Sequence, residues 1–501
     1  MPRAWLAILA ALPLGAAVHN DTVRPDNEYQ TIENFGASDC WSMQKTGAWS
    51  EASKRKIADL LFSMDKGIGL SCWRFNIGAG INTKTISHPW RTAETFEIAE
   101  GRYDWSRQAG ERWFLHAAQE RGIAQFLAFV NSPPARMTRN GLTNATKGLG
   151  STNLKPGYEG QFARYLADIL RHFRDAEHID FTYVSPVNEP QWEWDSTTQE
   201  GNRYSNQDIR NVVLALGREL RRASLKTQIA IVESGNIPDM YQADAKISAE
   251  YKATYGNYAD TFLKDPEISP LLANRIGYHS YGSDRLDTQL LSHRQKLREK
   301  MDQYPGWKLW ETEYCILEGP EGKGGSGRDL TMRTALDVAR VMHYDLTVAG
   351  VSAWQWWTAV SPEDYKDGLI YTDYHKPGDP ETIHPAKLLW TFGNYSRFVR
   401  PGMKRIRLDG EGHDMRGLLG SAYKDEAGRR IVLVYLNLGD APEEVAPRFA
   451  PARAGWRLTS LTPYVTSDRP GDDLKRYPAV PPGRAVSIPP RSAVTLVARF
   501  Q

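Results

Sequence analysis

Between about residues 66 and 390, short apolar runs alternate with longer amphipathic segments, and no other feature of the chain limits its fold as strongly. The runs are Cys72–Ile77, Ala124–Val130, Phe181–Val187, Gln228–Val232, Arg275–Tyr281, Trp307–Tyr314 and Val351–Trp357. Between them, Gly160–Phe173 sets Phe162, Tyr165, Leu166, Ile169 and Leu170 at spacings of three and four, one face of a helix. Asp208–Ala223 and Leu330–Leu346 carry the same period. Strands that alternate with helices form parallel sheets, because each helical crossover returns the chain to the same end of the sheet. With a further short run near Phe35 the strands number eight, which fits an α/β (β/α)8 TIM barrel with long loops. A doubly wound open sheet satisfies the same periodicity.

After Phe398 the texture changes. Arg430–Leu438, Gly455–Leu461 and Ala493–Phe500 are β-rich runs separated by Pro- and Gly-rich turns, the pattern of a C-terminal antiparallel β-sandwich. A chain of 501 residues exceeds one small core, so a second unit is expected. The start supplies a third division. Met1-Pro2-Arg3 is a short basic opening, Ala4 to Leu14 is apolar, and Gly15-Ala16-Ala17 offers small residues for cleavage. The expected organisation is a signal peptide over 1–17, strand-forming residues 18–34 that join the sandwich, a barrel over 35–395 and the sandwich over 396–501. Such a protein is secreted or periplasmic, and no later run is long enough to span a membrane.

Net charge and cysteines exclude other classes. A formal charge of +2 gives no basic footprint for nucleic acid. Cys40, Cys72 and Cys315 fit no zinc pattern and are too few for a disulfide framework. The 16 Trp and 23 Tyr are enough to build both a large core and flat platforms for sugar rings.

On a parallel barrel the reactive groups sit at the C-terminal ends of strands. The fourth run ends in Asn188-Glu189-Pro190 and continues Gln191-Trp192-Glu193-Trp194; the seventh ends in Trp310-Glu311-Thr312-Glu313-Tyr314. Glu189 and Glu313 therefore face each other across the barrel mouth. Glycoside cleavage with retention needs such a pair, one carboxyl to protonate the leaving oxygen and one carboxylate to attack the anomeric carbon. Their pKa values must differ. Asn188 is placed to hold the sugar 2-hydroxyl. This chemistry needs no metal and no cofactor. The partner is a polysaccharide or oligosaccharide, and a monomer is expected.

These stretches, with Phe35-Gly36-Ala37-Ser38-Asp39-Cys40-Trp41, Trp73 to Gly80, Asn131-Ser132-Pro133-Pro134, His279-Ser280-Tyr281 and Trp354-Gln355-Trp356-Trp357, resemble glycoside hydrolase family 30 along the whole barrel. The resemblance implies a retaining glycosidase with Glu189 as acid/base, Glu313 as nucleophile and a C-terminal β-sandwich joined by N-terminal strands. It sets Arg74 beside the nucleophile, and His279 and Tyr281 against the nucleophile or the sugar. It makes Trp354 and Trp356 a stacking wall, and adds Asp39, Trp41 and Trp192 to the substrate-binding set. Where many relatives carry an aromatic residue after Ser-Pro-Pro, this chain has Ala135-Arg136-Met137 and lacks that platform. Thr198-Gln199-Glu200-Gly201 and Asp39-Cys40-Trp41 are similar to the endo-β-1,6-galactanases of the family. β-1,6-Glucanase, xylanase and exo-acting β-glucosidase, β-xylosidase or β-fucosidase are its other activities, and a non-catalytic carbohydrate-binding protein is the rival class. By period two, Glu311 points the same way as Glu313, but the family pattern sets the nucleophile directly before the aromatic residue. The glycine-rich stretch Gly322 to Gly327 stands too far after its strand to be a nucleotide turn and reads as a flexible rim loop.

Overall fold

The computed structural model describes residues 18–88, 90–410, 414–450 and 456–501. The leader expected over 1–17 lies outside these residues, as does Gly455 of the expected run Gly455–Leu461.

Asn34–Ser38, Cys72–Asn76, Gln125–Phe129, Tyr183–Ser185, Gln228–Ile229 with Val232–Ser234, Arg275–His279, Lys308–Tyr314 and Ala353–Trp356 pair in chain order in one parallel sheet. They are strands one to eight below. Strand eight pairs with strand one. The two pieces of strand five pair separately, Gln228–Ile229 with strand four and Val232–Ser234 with strand six. The sheet thus curls until its two edges are neighbouring pieces of chain, consistent with a TIM barrel. A doubly wound sheet would reverse its strand order, and this one does not.

Alternation sorts the strand side chains into two layers. Cys72, Leu127, Phe129, Tyr183, Trp310 and Ala353 pack with one another inside the curl. Their neighbours Trp73, Phe75, Phe126, Ala128, Val184 and Leu309 join the core shared with the helices. The helix Glu159–Ala176 buries Phe162, Tyr165, Leu166, Ile169, Leu170 and Phe173, the face its spacing predicts. Asn206–Arg222 starts at a capping box: Ser205 Oγ accepts from Asp208 N–H, and the Asp208 carboxylate accepts from Ser205 N–H. Those bonds occupy amides that a helix start leaves without partners.

Of the four further sheets among the described residues, two join the ends of the chain. Thr22–Thr31, Lys404–Leu408, Leu418–Asp425, Arg430–Asn437, Ser492–Phe500 and Leu458–Ser467 form most of an eight-stranded sheet. Val18–His19, Glu443–Val445 and Val486–Ile488 form a three-stranded one. Both are mixed, because Thr22–Thr31 pairs parallel with Arg448–Phe449 and Val18–His19 pairs parallel with Glu443–Val445. The N-terminal strands enter sheets whose other members run on from the C-terminal end of the chain, so these pairs need no hairpin. Arg430–Asn437 is buried on both faces. Ile431, Leu433 and Tyr435 share a cluster with Val445, Val486 and Ile488 of the small sheet. Val432, Val434 and Leu436 join the core of the parallel unit. That double burial explains why RIVLVYLN is apolar without alternation.

Candidate active site

The C-terminal ends of the parallel strands surround a cavity of about 420 Å³ whose walls include Asn188, Glu189, Trp192, Tyr281, Glu313 and Trp357. A larger cavity of about 820 Å³, between Asp329, Arg340, Arg416 and Arg491, lies away from these groups and has no aromatic wall. Paired carboxylates under aromatic rings make the smaller cavity the candidate site.

Glu189 follows strand four in a left-handed conformation, φ +41°. Backbone strain of this kind costs about 1–3 kcal/mol and persists only where neighbours hold it. Here Glu189 N–H donates to Glu233 O at 2.8 Å, and Trp194 Nε1 donates to Glu189 O at 3.1 Å. Glu313 lies at the end of strand seven. Its Oε2 accepts from Arg74 Nη1 at 2.8 Å and its Oε1 from Tyr281 Oη at 3.0 Å. His279 stands between the two, with Nδ1 2.9 Å from Glu189 Oε1 and 3.6 Å from Glu313 Oε1. Facing atoms of Glu189, His279 and Glu313 all lie within 4.8 Å of one another.

The electrostatics set Glu189 apart from an ordinary glutamate. Burial raises the Glu189 pKa, and the His279 hydrogen bond only partly opposes it. Burial alone would lower the His279 pKa. The facing carboxylates of Glu313, Glu189 and Glu233 win and push it up to about 10. At neutral pH the ring is therefore an imidazolium, with no lone pair to offer a metal ion. Arg74 is completely buried and its guanidinium spans two carboxylates, with Nη2 2.9 Å from Glu233 Oε2. Burial pushes the Glu233 carboxyl up, but Arg74 and His279 outweigh it and hold Glu233 below the ordinary range. The cations of Arg74 and His279 thus stand among the carboxyl groups of Glu189, Glu233 and Glu313.

Replacing Arg74 by Leu is expected to destabilise the fold by about 3–5 kcal/mol, the cost of leaving buried carboxylates without their cation. Denaturant unfolding, followed through the tryptophans, reads this loss.

Asn188, Arg74, His279 and Tyr281 gather around Glu189 and Glu313. Asn188 Nδ2 donates to Asn131 Oδ1 at 3.2 Å, and its own carbonyl oxygen has no protein partner. Trp192 stands at the mouth, 44% exposed. Trp41 is buried; its Nε1 donates to Glu200 Oε1 at 3.2 Å and its ring meets Trp357 edge-on at 5.3 Å. Asp39 does not line the cavity. It is buried and accepts from Asn76 N–H at 2.9 Å, tying strand one to strand two.

Trp354 and Trp356 are not a sugar wall. Both are completely buried in the helix-facing layer, where Trp354 Nε1 donates to Asp345 Oδ2 at 2.9 Å and Trp356 Nε1 to Asp367 O at 2.7 Å. Strand eight turns Ala353, Gln355 and Trp357 inward, so Trp357 is the ring that reaches the cavity. Glu311 and Glu313 also part company. The pairing register shifts between Glu311 and Tyr314, so the period of two breaks. The Glu311 carboxylate accepts from Ser280 N–H and Gln355 N–H, each at 3.3 Å, and does not line the cavity. The glycine-rich loop packs on the same rim, with Lys366 Nζ donating to Gly324 O at 3.1 Å and Ser326 O at 2.7 Å.

The sequence reading missed Glu233, Trp194, Arg91 and Trp357. Glu233 carried a usable signal: it directly follows the apolar run Gln228–Val232.

Residues 19–371 match the model of O-glycosyl hydrolase family 30. An endo-β-1,6-galactanase of Hypocrea rufa is 24% identical over 488 residues, covering 91% of this chain and 89% of the relative. A conserved exported protein from Bacteroides fragilis superposes with a TM-score of 0.84 at 31% identity, over 95% of this chain and 100% of the other. The catalytic domain of a family 30 xylanase C from Talaromyces cellulolyticus has a TM-score of 0.69 at 22% identity, covering 96% and 100%. The chain belongs to glycoside hydrolase family 30 and is a glycoside hydrolase.

Proposed function

We propose that the chain is a secreted, retaining β-glycosidase acting on a polysaccharide, most specifically an endo-β-1,6-galactanase, with Glu189 as acid/base and Glu313 as nucleophile. The observation that carries the mechanism is the facing of two buried carboxyl groups in different environments, with facing atoms no more than 4.8 Å apart. Retaining sites separate their carboxyl groups by about 5–5.5 Å, inverting sites by about 6.5–9.5 Å to admit a water. In the first step a Glu313 oxygen attacks the anomeric carbon while the glycosidic bond breaks and its oxygen takes the proton from Glu189. Glu189, now a carboxylate, then removes a proton from water. The water oxygen attacks the anomeric carbon and releases Glu313, restoring the starting protonation. Arg74 and Tyr281 hold the Glu313 carboxylate on both of its oxygens. His279 aligns Glu189.

The substrate reading rests on the Hypocrea rufa relative and on Thr198 and Gln199, which line the cavity beside the acid/base. We place the curled sheet as a closed (β/α)8 barrel over residues 35–395. Residues 18–34 complete a β-sandwich with 396–501, behind a leader over 1–17. No described helix is long and apolar enough to cross a membrane.

Digestion of β-linked polysaccharides, with products sized by chromatography, tests the substrate. Galacto-oligosaccharides from β-1,6-galactan support it. Release from glucan, xylan or aryl fucosides transfers the mechanism to another family activity, and no turnover on any of them favours a carbohydrate-binding protein. On the substrate that is cleaved, Trp192→Ala is expected to raise KM roughly five-fold with little change in kcat. An exposed ring at the mouth stacks a sugar remote from the reaction, and its loss costs about 1 kcal/mol of uniform binding.

A further inference from the structure

Glu233 has no part in the two displacement steps, yet both cations that touch the reacting pair also end on it. We infer that Glu233 is a positioning residue that locks Arg74 and His279 into one frame and, by offsetting their positive charge, keeps the proton on Glu189 between turnovers. The inference rests on the reading of Glu189 and Glu313 given above.

Four observations carry it. Glu233 Oε2 meets Arg74 Nη2 at 2.9 Å and His279 Nε2 at 3.3 Å, and the side chain is completely buried. The free arm of each cation ends on one member of the pair, Arg74 Nη1 on Glu313 and His279 Nδ1 on Glu189. One carboxylate thus anchors two levers, and each lever aims at a different reacting group. Second, the main chain of the same residue fixes Glu189 directly, because Glu233 O accepts from Glu189 N–H at 2.8 Å. Third, Glu233 holds φ at +54°, a conformation a glutamate adopts only when its surroundings impose it. Fourth, the neighbouring strand six makes room: a Cβ at Gly277 would stand 3.3 Å from Glu233 Oε1 and 3.2 Å from Thr312.

Charge follows from this geometry. The groups around the frame are Arg74 from strand two, Glu189 after strand four, His279 from strand six and Tyr281 just after it, and Thr312 and Glu313 from strand seven. Arg74 and His279 draw the proton from Glu189, and the charge of an ionised Glu233 beside both cations offsets that pull. Without the Glu233 charge, the cluster is more positive by one unit. It then gives up a proton at lower pH, from Glu189 or from the His279 that faces it.

The test is the pH profile of kcat/KM for Glu233→Gln on a 4-nitrophenyl glycoside that the unmodified enzyme turns over. The alkaline limb is expected to move toward acid by about one pH unit, a ten-fold change in proton affinity. kcat at the optimum falls as well, by roughly ten-fold, because both levers lose an anchor. A folded Glu233→Gln protein with an unmoved limb, or with a change in KM alone, overturns the inference; a residue that only stabilised the barrel would leave the limb in place. Glu233→Asp, which keeps the charge, is expected to keep the limb within a few tenths of a unit. If Glu233→Gln does not fold, nitrogen-15 NMR of the unmodified protein decides. Both His279 ring nitrogens are expected to be protonated at pH 8, and a neutral ring contradicts the frame. Absence of turnover, or inversion, in the unmodified enzyme sinks the reading of the pair instead, so the two failures stay distinct.

Discussion

Glu313→Gln is expected to lower kcat by about 10⁴-fold or more, the scale on which an enzyme loses rate when its nucleophile is removed. The amide is close to isosteric, so Arg74 and Tyr281 keep a partner of the same shape and folding is largely preserved. What disappears is the negative charge that attacks the anomeric carbon. Single-turnover kinetics on an aryl glycoside measures the loss directly. A 2-deoxy-2-fluoro glycoside, which forms the covalent species but releases it slowly, should label the peptide that contains Glu313 in the unmodified enzyme. Label on Glu311 would contradict the assignment. Glu311 is expected to stay unlabelled because its carboxylate is turned out of the cavity and held by the amides of Ser280 and Gln355.

Glu189→Ala has a different signature. A general acid contributes roughly 10²–10⁴-fold, and its value depends on how poor the leaving group is. The loss is therefore expected to be of that size on a polysaccharide or a simple alkyl glycoside. It should be small in the first step on a dinitrophenyl glycoside, whose oxygen leaves without a proton. The second step still needs a base, so turnover of that substrate stalls at the glycosyl-enzyme. Added azide, an anion that needs no deprotonation, should restore turnover and yield a glycosyl azide of retained configuration. Azide without effect would contradict the role given to Glu189.

The alkaline side of the pH profile follows from the same group. Burial raises the Glu189 pKa, so its acid form survives to higher pH than an ordinary glutamate's. The rate is expected to fall as pH rises through that value, and Glu189→Ala should abolish this limb on an activated substrate.

Much of the site was legible because its residues lie where physics confines them. Asn-Glu at the end of the run Phe181–Val187 and Glu-Tyr at the end of Trp307–Tyr314 both fall where the C-terminal ends of parallel strands gather reactive groups. Arg74 and His279 occupy strands of the same kind, Tyr281 just follows one, and all three converge with the pair. The tryptophans were different. In Trp354-Gln355-Trp356-Trp357 either phase of the strand offers a ring to the cavity, and only the pairing of strand eight with its neighbours selects Trp357. Glu311 was misplaced for a related reason. Period two aligns it with Glu313, and the register shift that separates them is a property of pairing across strands, which a single strand's residues do not record. Glu233 escaped because its strand is broken into two short pieces and no motif surrounds it. The two-faced burial of Arg430–Asn437 could be read as a buried strand, but not which layers would cover it.

The central claim is double displacement by Glu189 and Glu313, and the most direct test is the anomeric configuration of the first product. Proton NMR should be recorded within the first minutes of digestion of β-1,6-galactan, or of whichever β-glycan the enzyme cleaves, before mutarotation mixes the anomers. The β-anomer appearing first, with the α-anomer growing only later, is the result expected from two inversions at one carbon. The α-anomer appearing first would mean a single displacement by water. It would contradict the nucleophilic role of Glu313 whatever the substrate turns out to be.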